Sequence, residues 1–160
     1  LAQKHKVIIE FYQGDIKNLK SFKSSSQDIV FSAFALQYVD NLKKCFKEVY
    51  RVLKKKGIFV FSLDHPFWKI TSSKNLKIEE SYFKIGKVVR DYGNYGKYVI
   101  YYHTISEIFN LLVNEGFEVV KILEPERNPK YQDPWCKLWD YTPKMVSNIP
   151  PSIIFKAIKK

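Results

Sequence analysis

Three short stretches carry side chains able to do chemistry, and each follows an apolar run: Gly14-Asp15-Ile16, Ser32-Ala33-Phe34 and Asp64-His65. A carboxylate just past a strand can accept a hydrogen bond from an exocyclic amine or a ribose hydroxyl. Small residues there let backbone carbonyls approach a ligand closely. Asp15 beside Gly14 fits a plain turn equally well. Imidazole titrates near neutrality, and His65, just past a strand end, is the histidine placed for a catalytic proton transfer. Beside Asp64 it fits a structural hydrogen-bonding pair as well. The two cysteines, Cys45 and Cys136, are too few and too far apart for a disulfide framework or a metal knuckle, and read as inert thiols in a reducing cytoplasm. No metal site is expected.

Strands and helices must position these groups. Residues 7–12 are β-branched and aromatic and end at Gly14-Asp15, the pattern of a strand. Residues 29–33 and 58–63 are apolar on both faces, as expected of strands inside a covered parallel sheet. Between them, Leu42, Cys45, Phe46, Val49, Val52 and Leu53 fall at offsets 0, 3, 4, 7, 10 and 11, one helical stripe. Asp40 is its expected N-cap, Lys54-Lys55-Lys56 its last turn and Gly57 its stop. Thr104-Ile105-Ser106-Glu107 fits a capping box opening a second helix that ends at Gly116. Residues 117–123, stopped by Pro125 and Pro129, and residues 152–158 read as further strands. The alternation predicts an α/β fold, Rossmann-like, with a mostly parallel sheet and helices on both faces.

The 160 residues and 19.0 kDa suit one domain, 1–160, and 46% hydrophobic with 16% aromatic residues exclude disorder. No apolar run approaches the roughly 20 residues of a membrane span, and the first 30 residues lack the order of a signal peptide. The expected setting is cytoplasmic, with no membrane partner. Net charge is +11, yet the cations are nearly all lysine: Arg51, Arg90 and Arg127 are the only arginines. Bidentate phosphate and base recognition favours arginine, so a nucleic-acid partner is permitted but a solvated basic surface is favoured.

In order along the chain, these motifs resemble class I S-adenosylmethionine-dependent methyltransferases of the small-molecule, type 11-like group. Leu1-Ala2-Gln3-Lys4 is similar to the tail of the family's second helix, and Phe11-Tyr12-Gln13-Gly14-Asp15-Ile16 to its third strand and acidic motif. Asp28 through Val39 is similar to its fourth strand, and Phe46 through Gly57 to the helix and glycine before its fifth. The resemblance implies S-adenosylmethionine as cofactor. It implies that Asp15 accepts from the adenine amino group, that the Ile16 backbone meets the ring edge, and that Ser32 and Ala33 face the methionine part with Phe34 beside the methyl path. Many relatives carry histidine where this chain has Gln37. The family's first two strands and glycine-rich loop are not found, so the chain reads as the C-terminal two thirds of the fold, truncated and impaired as it stands.

Residues 64–102 form an insertion rich in aromatic residues, including Tyr82, Tyr98, Tyr101 and Tyr102. Ser62-Leu63-Asp64-His65-Pro66-Phe67, Tyr82-Phe83 and Tyr101-Tyr102-His103-Thr104 are similar to motifs of one subgroup. Residues 82–89 are expected to pair with 98–102 across Gly93-Asn94, as an aromatic lid over a small-molecule methyl acceptor. A hairpin merely packing on the sheet edge fits the same residues. Two other classes fit the chain as a whole: a non-catalytic Rossmann-like binding module and an RNA methyltransferase.

Overall fold

In this computed structural model residues 8–72, 75–91, 96–126 and 143–160 are described. In chain order they form β1 (Gln27–Ala33), α1 (Leu42–Val52), β2 (Leu53–Asp64), α2 (Pro66–Lys69), β3 (Gly86–Asp91), β4 (Lys97–Tyr102), α3 (Ile105–Asn114), β5 (Phe117–Leu123), α4 (Pro143–Val146) and β6 (Ser152–Lys159). The expectations for Leu1 to Lys4, Tyr92, Gly93, Asn94, Tyr95, Arg127, Pro129 and Cys136 lie outside the described residues.

The apolar runs build one four-stranded sheet in the order β1-β2-β6-β5. β1 and β2 are parallel, with Val30 opposite Phe59 and Ser32 opposite Phe61. β6 runs antiparallel to both its neighbours, so β1, β2 and β5 share one direction and β6 alone is reversed. Alternate residues Phe59, Phe61, Leu63, Ile153, Phe155 and Ala157 turn to one face and are all but removed from solvent. The α1 stripe and Ile108 and Leu112 of α3 close over that same face as one core. Each such fully buried side chain contributes about 1.5–3 kcal/mol. Phe61 stacks on Phe155 with ring centroids 5.2 Å apart. Burial beneath α1 pushes the Cys45 thiol up to about 12, so it stays protonated and inert.

The α/β reading holds, and both long helices lie on one side of the described sheet. On the other side Ile29 and Phe31 of β1 are 61% and 70% exposed. Among the described residues no strand lies beyond β1: residues 8–12 form none, and Ile8 and Phe11 stand about nine-tenths exposed. The β pattern there lacks a neighbour to bond with, and an unpaired strand has no ladder.

Two helix boundaries also differ from expectation. Asn41, not Asp40, caps α1, its Oδ1 accepting from the Lys44 amide at 2.9 Å. Asp40 instead accepts from Lys17 Nζ at 2.6 Å. Lys54, Lys55 and Lys56 belong to β2, where the register shifts between Gln27 opposite Leu53 and Ile29 opposite Ile58. That excursion puts Lys56 at φ 62°, and a Cβ on Gly57 would meet the Lys54 carbonyl oxygen at 2.8 Å. The glycine therefore serves a tight bend at the start of a strand rather than a helix stop. Thr104 does cap α3, accepting from the Glu107 amide at 3.1 Å.

The 64–102 insertion holds α2 and a two-stranded hairpin, β3 with β4, in which Gly86 rather than Tyr82 pairs with Tyr102. Ile70, Val88, Ile100 and Tyr102 form its own small core. Arg90 ties the hairpin down: its guanidinium bonds the Tyr102 hydroxyl, meets Glu80 Oε1 at 2.9 Å and donates to the Lys69 carbonyl at 3.3 Å.

Candidate functional site

At the carboxyl ends of β1 and β2 the chain leaves two hollows on either side of Tyr101. The larger is a cleft of about 470 Å³, bordered by Asp15, Ile16, Lys17, Ala35, Tyr38 and Tyr101. Ligand sites of small molecules commonly have such a volume. The Asp15 stretch is held by its own turn: Oδ1 accepts from the Lys17 amide at 2.9 Å, and the carbonyl accepts from the Asn18 amide at 2.8 Å. Lys17 sits between Asp15 at 3.6 Å and Asp40 at 2.6 Å. Its hydrogen bond holds the Asp40 carboxyl below its ordinary range, and the same bond lifts the Lys17 amine.

Asp15 and Ile16 thus border the cleft, although the strand expected to lead into them is not formed. On the β1 side it is bordered by Ala35 and Tyr38, just past the expected Ser32-Ala33-Phe34. Phe34 turns the chain out of β1 at φ 50°, a left-handed conformation for a non-glycine residue. Its amide is held by the Ser62 carbonyl at 3.1 Å. Such a conformation costs about 1–3 kcal/mol and clusters at binding sites. The Ser32 hydroxyl is buried with no hydrogen-bond partner.

On the far side of Tyr101 lies a small, half-open hollow of about 20 Å³, room for a single water or one small polar group. Gln37, Asp64, Lys69, Tyr82, Tyr102 and His103 line it. Asp64 does not pair with His65 as expected. It accepts from Gln37 Nε2 at 3.0 Å and faces Lys69 Nζ at 3.4 Å. Burial outweighs that attraction for both partners, raising the Asp64 carboxyl and lowering the Lys69 amine from their ordinary values.

His65 lies behind this hollow with both ring nitrogens engaged. Its Nδ1 accepts from the Phe67 amide at 3.1 Å, capping α2, so its Nε2 carries the proton and donates to Glu124 Oε1 at 2.9 Å. Neither nitrogen is left to take a substrate proton. Among the described residues the imidazole with an unpartnered nitrogen is His103, expected from sequence only as part of a subgroup motif and with no proton-transfer role. Its Nδ1 meets Glu107 Oε2 at 3.1 Å, while Nε2 is buried without a partner. The sequence signal is the four-residue step from His103, just before the Thr104 cap, to Glu107 in the first turn of α3. Among the described residues no group of three or more histidine, cysteine, aspartate or glutamate side chains is placed to hold a metal ion.

Residues 1–61 match the family described as a methyltransferase domain. A Haemophilus influenzae protein of undescribed role is 24% identical over 92% of this chain and 60% of its own length. A demethylmenaquinone methyltransferase of Leptospira interrogans is 44% identical over 37% of this chain and 23% of its own. The chain therefore spans less than two thirds of either curated relative. A solved Listeria monocytogenes structure, proposed to be an S-adenosylmethionine-dependent methyltransferase, superposes with a TM-score of 0.76 at 22% identity, over 98% of this chain and 73% of that one. Residues 1–61 thus match a methyltransferase domain, and the described sheet with its one reversed strand shares the fold of a structure described as that of an S-adenosylmethionine-dependent methyltransferase.

Proposed function

We propose that this chain supplies the adenine-side wall and the acceptor pocket of an S-adenosylmethionine-dependent methyltransferase that acts on a small molecule in the cytoplasm. The observation that carries the reading is Tyr101, which borders both the cleft and the smaller hollow. A donor in one and an acceptor in the other are then neighbours, and an in-line displacement needs them adjacent.

When bound, the cofactor supplies an electrophilic methyl group on a sulfonium sulfur. Asp15 accepts from the adenine amino group, the Ile16 backbone lies along the ring edge, and the strained Ser32-Ala33-Phe34 turn faces the methionine part. The cleft fits such a ligand in its volume and in the Asp15 carboxylate at its border. The β3–β4 hairpin, pinned by Arg90, excludes water from the acceptor. A small acceptor rather than RNA is favoured by the small size of the hollow and by its cations, since Lys69 faces Asp64 and Lys84 bonds Glu80 at 2.8 Å. No described helix is long and apolar enough to cross a membrane.

The outer edge of β1 has no strand beside it among the described residues. In the same reading, the chain is the C-terminal two thirds of the fold, and upstream strands with a glycine-rich loop complete the cofactor site. Several hydrogen bonds at about 0.5–1.5 kcal/mol each separate the two states. Calorimetric titration of S-adenosylmethionine into the 160 residues is expected to show little or no binding, and a version extended upstream to bind in the micromolar range. Tight binding by the short chain overturns the two-thirds reading. No binding by the long one overturns the enzyme and favours a binding module.

A further inference from the structure

Two polar side chains lining the smaller hollow are each oriented by a carboxylate, and each is left with one buried acceptor atom. Gln37 is 5% exposed, and its Nε2 donates to Asp64 Oδ2 at 3.0 Å. An amide whose nitrogen faces a carboxylate has its oxygen on the other side, and Gln37 Oε1 there has no partner. His103 donates from Nδ1 to Glu107 Oε2 at 3.1 Å, so its Nε2 carries a lone pair, also without a partner. Buried polar atoms are rarely left unpaired, and each orphan costs about 1–3 kcal/mol. Both atoms belong to residues lining the same hollow, which has room for one small polar group.

A hydroxyl has one hydrogen to give and satisfies one of the two atoms. An amine has two or three. We propose that the hollow receives the primary amino group of the acceptor, hydrogen-bonded to Gln37 Oε1 and His103 Nε2, and that His103 is the base that prepares it for methylation. The inference rests on the methyltransferase reading for its reaction, though not for its binding. The ammonium form gives one N–H proton to His103 Nε2. The freed lone pair attacks the methyl carbon of a sulfonium donor. The N–C bond forms as the S–C bond breaks, both of its electrons stay on sulfur, and the product leaves as a secondary ammonium. The rings of Tyr82 and Tyr102 beside the hollow suit an acceptor whose amine is carried on an apolar or aromatic body.

The test is a titration of the 160-residue chain, labelled with 15N in its histidine rings, with benzylamine and separately with benzyl alcohol. The His103 Nε2 resonance is assigned by its loss in His103→Gln. Benzylamine is expected to shift it saturably, with benzyl alcohol at least tenfold weaker and the His65 signals unmoved. In Gln37→Met, close in volume but without the acceptor oxygen, the preference for the amine is expected to vanish. Equal affinity for amine and alcohol overturns the proposal, as does an amine that leaves His103 unmoved or an undiminished preference in Gln37→Met. The amine-against-alcohol comparison in the unaltered chain decides even if the variant does not fold. No sulfonium donor is present, so a failure of methyl transfer in a longer protein leaves this result standing.

Discussion

Arg51 and Glu48, one turn apart on α1, face each other in a two-point fork: Nε donates to Oε1 at 3.0 Å and Nη2 to Oε2 at 2.9 Å. The same guanidinium donates to the Leu19 carbonyl at 2.9 Å and the Phe22 carbonyl at 3.0 Å, and Glu48 accepts from the Leu19 amide at 2.9 Å. One ion pair thus fastens the segment that leads from the cleft into β1.

Arg51→Ala is expected to cost about 1.5–3 kcal/mol in urea unfolding, the range for hydrogen bonds to a charged group. Arg51→Lys is expected to recover less than half of this, because an ammonium cannot reproduce the fork. A loss below a few tenths of a kcal/mol for Arg51→Ala would show that the loop holds itself.

Acid should release the same fastening. The Arg51 hydrogen bond, foremost among the causes, holds the Glu48 carboxyl below its ordinary 4.5. A carboxyl lowered in the folded state stabilises above the unfolded value, and that contribution is lost as pH falls through the folded value. Amide exchange at Leu19 is expected to accelerate below pH about 4.5, and Glu48→Gln to exchange fast at neutral pH with no further acid step. An acid step that persists in Glu48→Gln assigns it to another group.

Gly116 ends α3 at φ 95°, and a Cβ there would stand 3.1 Å from the Tyr50 ring. Gly116→Ala is expected to cost about 1–3 kcal/mol from backbone strain and the displaced ring together. A urea midpoint within error of the parent would mean that α3 ends elsewhere in solution.

The bare side of β1 invites self-association. Ile29 and Phe31 point away from the core at an edge with no strand beside it among the described residues, the arrangement that templates strand pairing. The 160-residue chain is expected to sediment as concentration-dependent oligomers, and Phe31→Lys to shift it towards monomer with little change in melting temperature. Monomer at every concentration would mean that the edge is covered.

Much of the sheet was legible because its strands are buried on the α1 side and written as continuous apolar runs, and β5 begins and ends where residues 117–123 indicated. The misreadings share a cause. Residues 7–12 carry a strand's composition, yet a strand needs a neighbour that local pattern cannot supply. Asp40 and Asn41 are both good caps, and the choice fell to Lys17, 23 residues away in sequence. The site divided in the same way. Asp15 and Ile16 border the cleft although the strand expected before them is not formed, because their own turn holds them. His65 looked catalytic because nothing local reveals Glu124, 59 residues further on, which takes its free nitrogen.

β6 stands between β2 and β5, although it is made after both. On the ribosome, a growing chain that has not reached residue 152 has two strands with no common neighbour. Phe59 and Phe61 then lack Phe155 and Ala157 alongside them. At translation rates of about 5–20 residues per second, those rings stay uncovered for seconds before the sheet can zip shut. The central strand thereby times the fold: cooperative closure waits for synthesis to pass it, and until then the phenylalanine face is the natural handhold for a chaperone.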